Sequence, residues 1–156
     1  MKIASISTEF NDIPNKISMT LFAAGCSRNC PGCQNESLKD FSVGVDLRPI
    51  ELLHEYLSRP ICNSVCFSGG DPIYQEDDLF EAMQLFVHQG IYVGLYTGES
   101  YENISDDIKR LADFMVTDPW ITECGPVTSD TTNQRVWIRR NEKLQQTTYK
   151  ELLNAR

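Results

Sequence analysis

Basic residues are scarce in this 156-residue chain: 14 Lys and Arg stand against 22 Asp and Glu, a formal net charge of −8. Contacts to a phosphate backbone need clustered Lys and Arg, so a general nucleic-acid binder is excluded. No apolar run approaches the roughly 20 residues of a membrane span. The start, Met1-Lys2-Ile3-Ala4-Ser5-Ile6-Ser7, carries no apolar segment of the secretory kind. Internal repeats, low-complexity tracts and linkers are missing as well. The expectation is a soluble, cytoplasmic protein with neither nucleic acid nor membrane as partner. In that compartment disulfides are rare, and clustered cysteines point to metal or catalysis.

The length suits one domain spanning residues 1–156, and 41% hydrophobic residues suffice for a core. Apolar runs alternate with helical patterns, which predicts an α/β domain with a mainly parallel sheet. Strands are expected at 18–22, 65–68, 91–96, 114–117 and, late in the chain, 136–138. A helix from Pro49 to Leu57 starts on proline and places Ile50, Leu53 and Leu57 on one face. Asp77 or Asp78 is expected to cap a second helix carrying Leu79, Ala82, Met83, Phe86 and Val87, stopped by Gly90. The acidic run Glu76-Asp77-Asp78 complements that helix's dipole. Ile104, Ile108 and Leu111 mark a third helix, and residues 149–153 a short fourth. Three strand-to-loop junctions carry Gly, Cys or Asp, at 23–35, 68–72 and 97–99. In parallel α/β sheets ligands gather at the carboxyl ends of the strands, so these loops are expected on one face of the sheet.

The first of these loops holds Cys26, Cys30 and Cys33 in a C-x3-C-x2-C spacing. Three thiolates within eight residues can wrap one compact metal centre. A cubane iron–sulfur cluster normally takes four protein thiolates, and three leave one iron open to another ligand. Open positions belong to catalytic centres, closed ones to structural sites. The alternative is a zinc ion completed by His54, Cys62, Cys66 or Cys124, although zinc ribbons use paired C-x2-C units and no second pair exists.

With the segments around it, this loop resembles the radical S-adenosylmethionine (SAM) superfamily, and within it the activators of anaerobic ribonucleoside-triphosphate reductase. The likeness is carried by Leu21 to Asn35, by Ser68-Gly69-Gly70-Asp71-Pro72, by Leu95-Tyr96-Thr97-Gly98 and by Asn133-Gln134-Arg135-Val136-Trp137. Gly32, where the superfamily usually has an aromatic residue, is a habit of this activator family. The family's Asn-Gly-Pro-Gly-x-Arg-like segment is replaced here by Asn11-Asp12-Ile13-Pro14-Asn15-Lys16-Ile17-Ser18, without the glycines and the arginine.

The resemblance implies an incomplete, open (β/α) barrel and a 4Fe-4S cluster on Cys26, Cys30 and Cys33. SAM would chelate the open iron and be cleaved reductively to methionine and a 5′-deoxyadenosyl radical. That radical would abstract hydrogen from a backbone glycine of the reductase large subunit, with a flavodoxin-like or ferredoxin-like electron donor. Cofactor contacts are expected from Asn35, Ser68, Gly69, Gly70, Asp71, Thr97 and Gly98. Gly69 and Gly70 would let the backbone approach the ligand, and Asp71 would face the methionyl ammonium. The plainer readings are turns at 69–72 and 97–98, a turn residue at Asn35, and an edge strand with solvated side chains at 133–135. Other short radical SAM enzymes, such as a carboxy-deazaguanine synthase or another glycyl-radical activator, and a non-catalytic zinc or iron–sulfur module are the alternatives. Cys62 and Cys66 are expected as buried structural thiols, Cys124 as an exposed thiol without a role, and His54 and His88 as solvated or core residues.

Overall fold

Residues 1–155 are described by a computed structural model, and its element order alternates strands and helices as the apolar pattern requires. The strands are β1 (Lys2–Glu9), β2 (Ser18–Ala23), β3 (Val45–Asp46), β4 (Ser64–Gly69), β5 (Tyr92–Tyr96), β6 (Phe114–Thr117), β7 (Arg135–Arg140) and β8 (Lys143–Thr147). The helices are α1 (Pro49–Leu57), α2 (Glu76–His88), α3 (Asp106–Leu111) and α4 (Tyr149–Asn154). All strands join one sheet in the order β3-β1-β2-β4-β5-β6-β7-β8.

The centre β2-β4-β5-β6 is parallel. The flanking pairs β1/β2, β1/β3, β6/β7 and β7/β8 are antiparallel. The sheet is therefore mixed, a correction to the expectation of a mainly parallel one. The flanks escaped the sequence pattern because β1 is only partly buried and β8 is a polar edge.

Period-2 alternation sorts the central strands into two faces. Leu21, Val65, Phe67, Leu95 and Met115 pack with Leu52, Leu79, Met83, Phe86 and Ile108 of α1, α2 and α3. On the other face Cys66, Phe114 and Val116 meet Ile13 from the 10–17 segment and Tyr149 and Leu152 of α4. The loops leaving β2, β4, β5 and β6 thus emerge side by side on one edge.

Several local expectations are corrected. In α1 the buried residues are Leu52 and Leu53, while Ile50 and Leu57 are 43% and 67% exposed. From the same helix Tyr56 meets Phe86 edge-on, 5.8 Å between centroids. Gln75, not Asp77 or Asp78, precedes α2, and the two aspartates lie in its first turn. Ile104 stands before α3, which Ser105 caps by accepting a hydrogen bond from the Ile108 N–H. Val87 is 36% exposed, and Cys62 and Cys66 are buried. Cys124 is half-buried rather than exposed, while His54 and His88 lie at the surface.

Candidate metal centre

Each loop at the sheet edge is tied to its neighbour by backbone. The Gly70 N–H donates to the Ala23 carbonyl at 2.8 Å, and the Asp71 N–H to that of Gly25 at 3.0 Å. The cysteine loop is pinned from below by Gly25 N–H to Leu38 and Cys26 N–H to Lys39. This crowding is what the glycine pair is for. Gly69 adopts φ +107°, and a Cβ there would stand 2.4 Å from the Ala23 nitrogen. A Cβ on Gly70 would stand 2.6 Å from the Gly25 oxygen. Both glycines are demanded by the fit of the 69–72 turn onto the cysteine loop, a reason additional to close approach of a ligand.

Asp71 is 1% exposed and holds three segments together. One carboxylate oxygen accepts the Ile73 N–H at 3.2 Å, starting a short 3-10 turn. The other accepts the Gly98 N–H at 3.0 Å and Arg28 Nε at 3.3 Å. Burial pushes the Asp71 carboxyl above its ordinary range, opposed by Thr97 and by these hydrogen bonds. Arg28, inside the cysteine loop, also pairs with Glu99 at 2.5 Å. Asn35 donates its amide to the Gly69 carbonyl at 2.7 Å. Arg28 and Glu99 were missed in the sequence. The available signal was a lone basic residue between cysteines and an acid directly after each glycine turn.

The segment after β6 closes the far side. Asp118 has φ +80° and is gripped by Arg135 through Nε at 2.7 Å and Nη2 at 3.0 Å. Arg135 also forks onto Glu102 at 2.7 and 2.8 Å. Asn133 donates to the Pro119 carbonyl at 2.8 Å and Gln134 to that of Asp118 at 3.4 Å. Asn133, Gln134 and Arg135 are thus struts for the 118–120 turn rather than solvated edge residues.

These loops enclose a cavity of about 310 Å³ lined by Cys26, Cys30 and Cys33 together with Asn35, Ser68, Gly69, Gly70, Asp71, Thr97 and Gly98. Every site residue expected from the sequence therefore opens on one space. His54, Cys62, Cys66 and Cys124 lie outside it. Arg28 is its one cationic lining residue, against Asp12, Asp71 and Asp118. Asp12 accepts a hydrogen bond from the Thr20 hydroxyl at 2.6 Å, and burial pushes its carboxyl up.

The donor set fits a 4Fe-4S cluster. All three thiols are half-buried and face a common cavity. Among the described residues no three His, Cys, Asp or Glu side chains converge on a single-ion position. A cubane cluster takes one thiolate at each iron, so three thiols on one cavity leave its fourth iron open to another ligand. Burial raises the Cys26 thiol, a shift that iron at that sulfur would reverse.

The model of the 4Fe-4S single cluster domain family matches residues 16–137, which takes in all three loops and the Asn133-Gln134-Arg135 struts. The pyruvate formate-lyase-activating enzyme of Clostridium pasteurianum is 30% identical over 100 residues, 60% of this chain. The chain spans 42% of that relative's length. The crystal structure of QueE from Escherichia coli superposes with a TM-score of 0.51 at 15% identity, over 62% of this chain and 51% of that one, a likeness of fold. No described helix is long and apolar enough to cross a membrane. With three thiols on the cavity at the strand ends and a family match over most of its length, the chain belongs to the 4Fe-4S single cluster domain family, within the radical SAM superfamily.

Proposed function

We propose that this protein is a radical SAM activase that generates a glycyl radical on the large subunit of an anaerobic ribonucleoside-triphosphate reductase. One observation carries the reading: the three thiols of the C-x3-C-x2-C loop share their cavity with the Gly69-Gly70-Asp71 and Thr97-Gly98 turns. When bound, a 4Fe-4S cluster with SAM supplies one-electron cleavage of the sulfonium C–S bond and a deoxyadenosyl radical able to take hydrogen from a glycine Cα. A flavodoxin-like or ferredoxin-like protein supplies the electron.

The chain's own residues hold and orient. Cys26, Cys30 and Cys33 would hold the cluster and leave one iron open to another ligand. Gly69 and Gly70 present backbone to the ammonium of SAM, with Ser68, Thr97, Gly98 and Asn35 around it. Asp71 keeps Gly98 and Arg28 in register, its buried carboxylate paired with the partly exposed guanidinium. The whole chain acts as one domain, an incomplete open barrel. The sheet order ends on β3 at one side and β8 at the other, which supports an open barrel with lateral access for a glycine-bearing loop. Gly32 and the Asn133-Gln134-Arg135 segment favour the reductase over pyruvate formate-lyase as partner.

The test is anaerobic. Reconstituted protein is given SAM and dithionite, with the reductase large subunit or pyruvate formate-lyase. We expect 5′-deoxyadenosine by chromatography, lost in Cys30→Ala, and a glycyl doublet by electron paramagnetic resonance on the reductase subunit. A doublet on the lyase alone would overturn the choice of partner. A full cluster with no deoxyadenosine in either mixture would overturn the enzyme itself.

A further inference from the structure

We infer that Trp120 is the face on which the nucleobase of the nucleoside ligand stacks, and that Thr122 is the residue that positions it. The inference rests on the proposed use of SAM and names a residue for its adenine.

A flat, partly apolar base needs an aromatic or apolar wall within the cavity, and three rings line it: Phe22, Tyr96 and Trp120. Tyr96 is committed elsewhere. Its hydroxyl donates to the Asp12 carbonyl at 2.6 Å and its ring packs on Phe114 at 6.0 Å between centroids. Phe22 also lines the cavity, but from within the sheet on β2, paired across to Ser5 and Ser68, and not from a loop. Trp120 is borne on a loop, is partly exposed, and has no ring partner among the described residues, whereas the other tryptophan, Trp137, is stacked on Tyr101 at 3.7 Å.

The loop under Trp120 is held far more firmly than packing alone requires. Trp120 Nε1 donates to the Thr122 hydroxyl at 3.2 Å, and that hydroxyl donates to the Pro31 carbonyl at 2.8 Å. Pro31 lies between Cys30 and Cys33, so the indole is chained to the cysteine loop itself. Gly32 permits this closeness. It adopts φ +68°, and a Cβ there would stand 2.6 Å from the Thr122 hydroxyl. On the opposite side, Asn133, Gln134 and Arg135 grip Asp118 and Pro119. An unstacked indole, tied by its Nε1 toward the cysteine loop and carried on a braced turn that lines the same cavity as the thiols, is the arrangement that holds a base by its π-face.

Holoprotein is dialysed anaerobically to equilibrium against labelled SAM, and separately against methionine, which lacks the base. Trp120→Ala should weaken SAM about tenfold, equivalent to ~1.4 kcal/mol, and leave methionine unchanged. Trp120→Phe should recover most of the loss. Thr122→Val should weaken SAM by a few-fold while keeping the cluster absorption, since it frees the ring without removing it. Unchanged SAM binding in Trp120→Ala would overturn the inference and leave the activase reading standing. Equal losses for SAM and methionine would also overturn it, as a general collapse of the cavity. Wild-type holoprotein that binds no SAM would sink both together.

Discussion

The two faces of the central sheet are built to different rules. The face toward α1, α2 and α3 is filled by side chains that do nothing but pack: Leu21, Val65, Phe67, Leu95 and Met115 are fully buried there. The opposite face and its upper edge mix Thr20, Cys66 and Phe114 with the carboxylates of Asp12 and Asp71, and their order comes from hydrogen bonds between loops far apart in sequence. Apolar packing resists change by volume, whereas a polar lattice resists it by satisfaction of each donor and acceptor. The first face sets whether the chain folds, the second whether the cavity keeps its shape.

The largest effect on stability should come from the packed face. Phe67 is completely buried and meets Phe86 edge-on at 6.0 Å. Phe67→Ala should lower the unfolding free energy by about 3–5 kcal/mol in a urea titration. Below the transition, cysteine-bound iron per folded chain should stay at its wild-type value, because Phe67 points away from the loops. Iron loss in the folded variant would break the division between the faces.

Asp71 should come next, and its replacements separate volume from polarity. Asp71→Leu strands the Ile73 and Gly98 N–H groups and one side of Arg28, at a cost of about 2–3 kcal/mol. Asp71→Asn keeps one acceptor oxygen but turns its NH2 toward an N–H on the other side, so it should cost about 1–2 kcal/mol, less than Asp71→Leu. The pH dependence sharpens the point. Burial raises the folded carboxyl above 3.8, so the folded state takes up the proton first as pH falls. That contribution is complete below the unfolded value and is lost as pH rises through the folded one. Asp71→Asn should flatten the stability curve in the window just above pH 3.8. An identical slope in both proteins would show that Asp71 is not the group titrating there.

Gly70→Ala should act less on stability, by about 1–2 kcal/mol, and more on the cavity. Its Cβ meets the backbone oxygens of Gly25 at 2.6 Å and Leu38 at 3.0 Å, so the cysteine loop must move. Iron bound on reconstitution should fall by at least half. Full iron loading would mean that the loop adapts freely.

The packed face was largely legible in the chain, and the polar edge only in its punctuation. Residues 65–68 and 114–117 read as strands because burial on both sides makes them almost continuously apolar, and 18–22 by its alternation of Met19 and Leu21 with Ser18 and Thr20. The β1 and β8 flanks were hidden by their polar residues, and Ile50 and Leu57 fit the α1 period although Leu52 and Leu53 are the ones buried. The cysteines and glycine turns stood out by local spacing. Arg28, Glu99 and Trp120 did not, since each acquires its place through a partner or a loop fixed only by the tertiary fold. The pairing of Arg28 with Asp71 spans 43 residues and that with Glu99 spans 71, distances over which no spacing pattern survives. The Asn133-Gln134-Arg135 segment was visible as a motif, but its task as a brace for residues 118–120 was not.

The smallest effect belongs to the outer half of that brace. Arg135 draws the Glu102 carboxyl down from 4.5 to about 2, but Glu102 is open to solvent, where a paired charge contributes little. Its contribution is present above the unfolded value of 4.5 and is lost as pH falls through about 2. At pH 7, Glu102→Gln should therefore leave the urea midpoint unchanged within error. SAM binding should also be unaffected, because Arg135 keeps both hydrogen bonds to Asp118 and so continues to hold the turn that carries Trp120. If Glu102→Gln weakened SAM as much as Trp120→Ala, the brace would be a single coupled unit, and the surface ion pair would belong to the cavity after all.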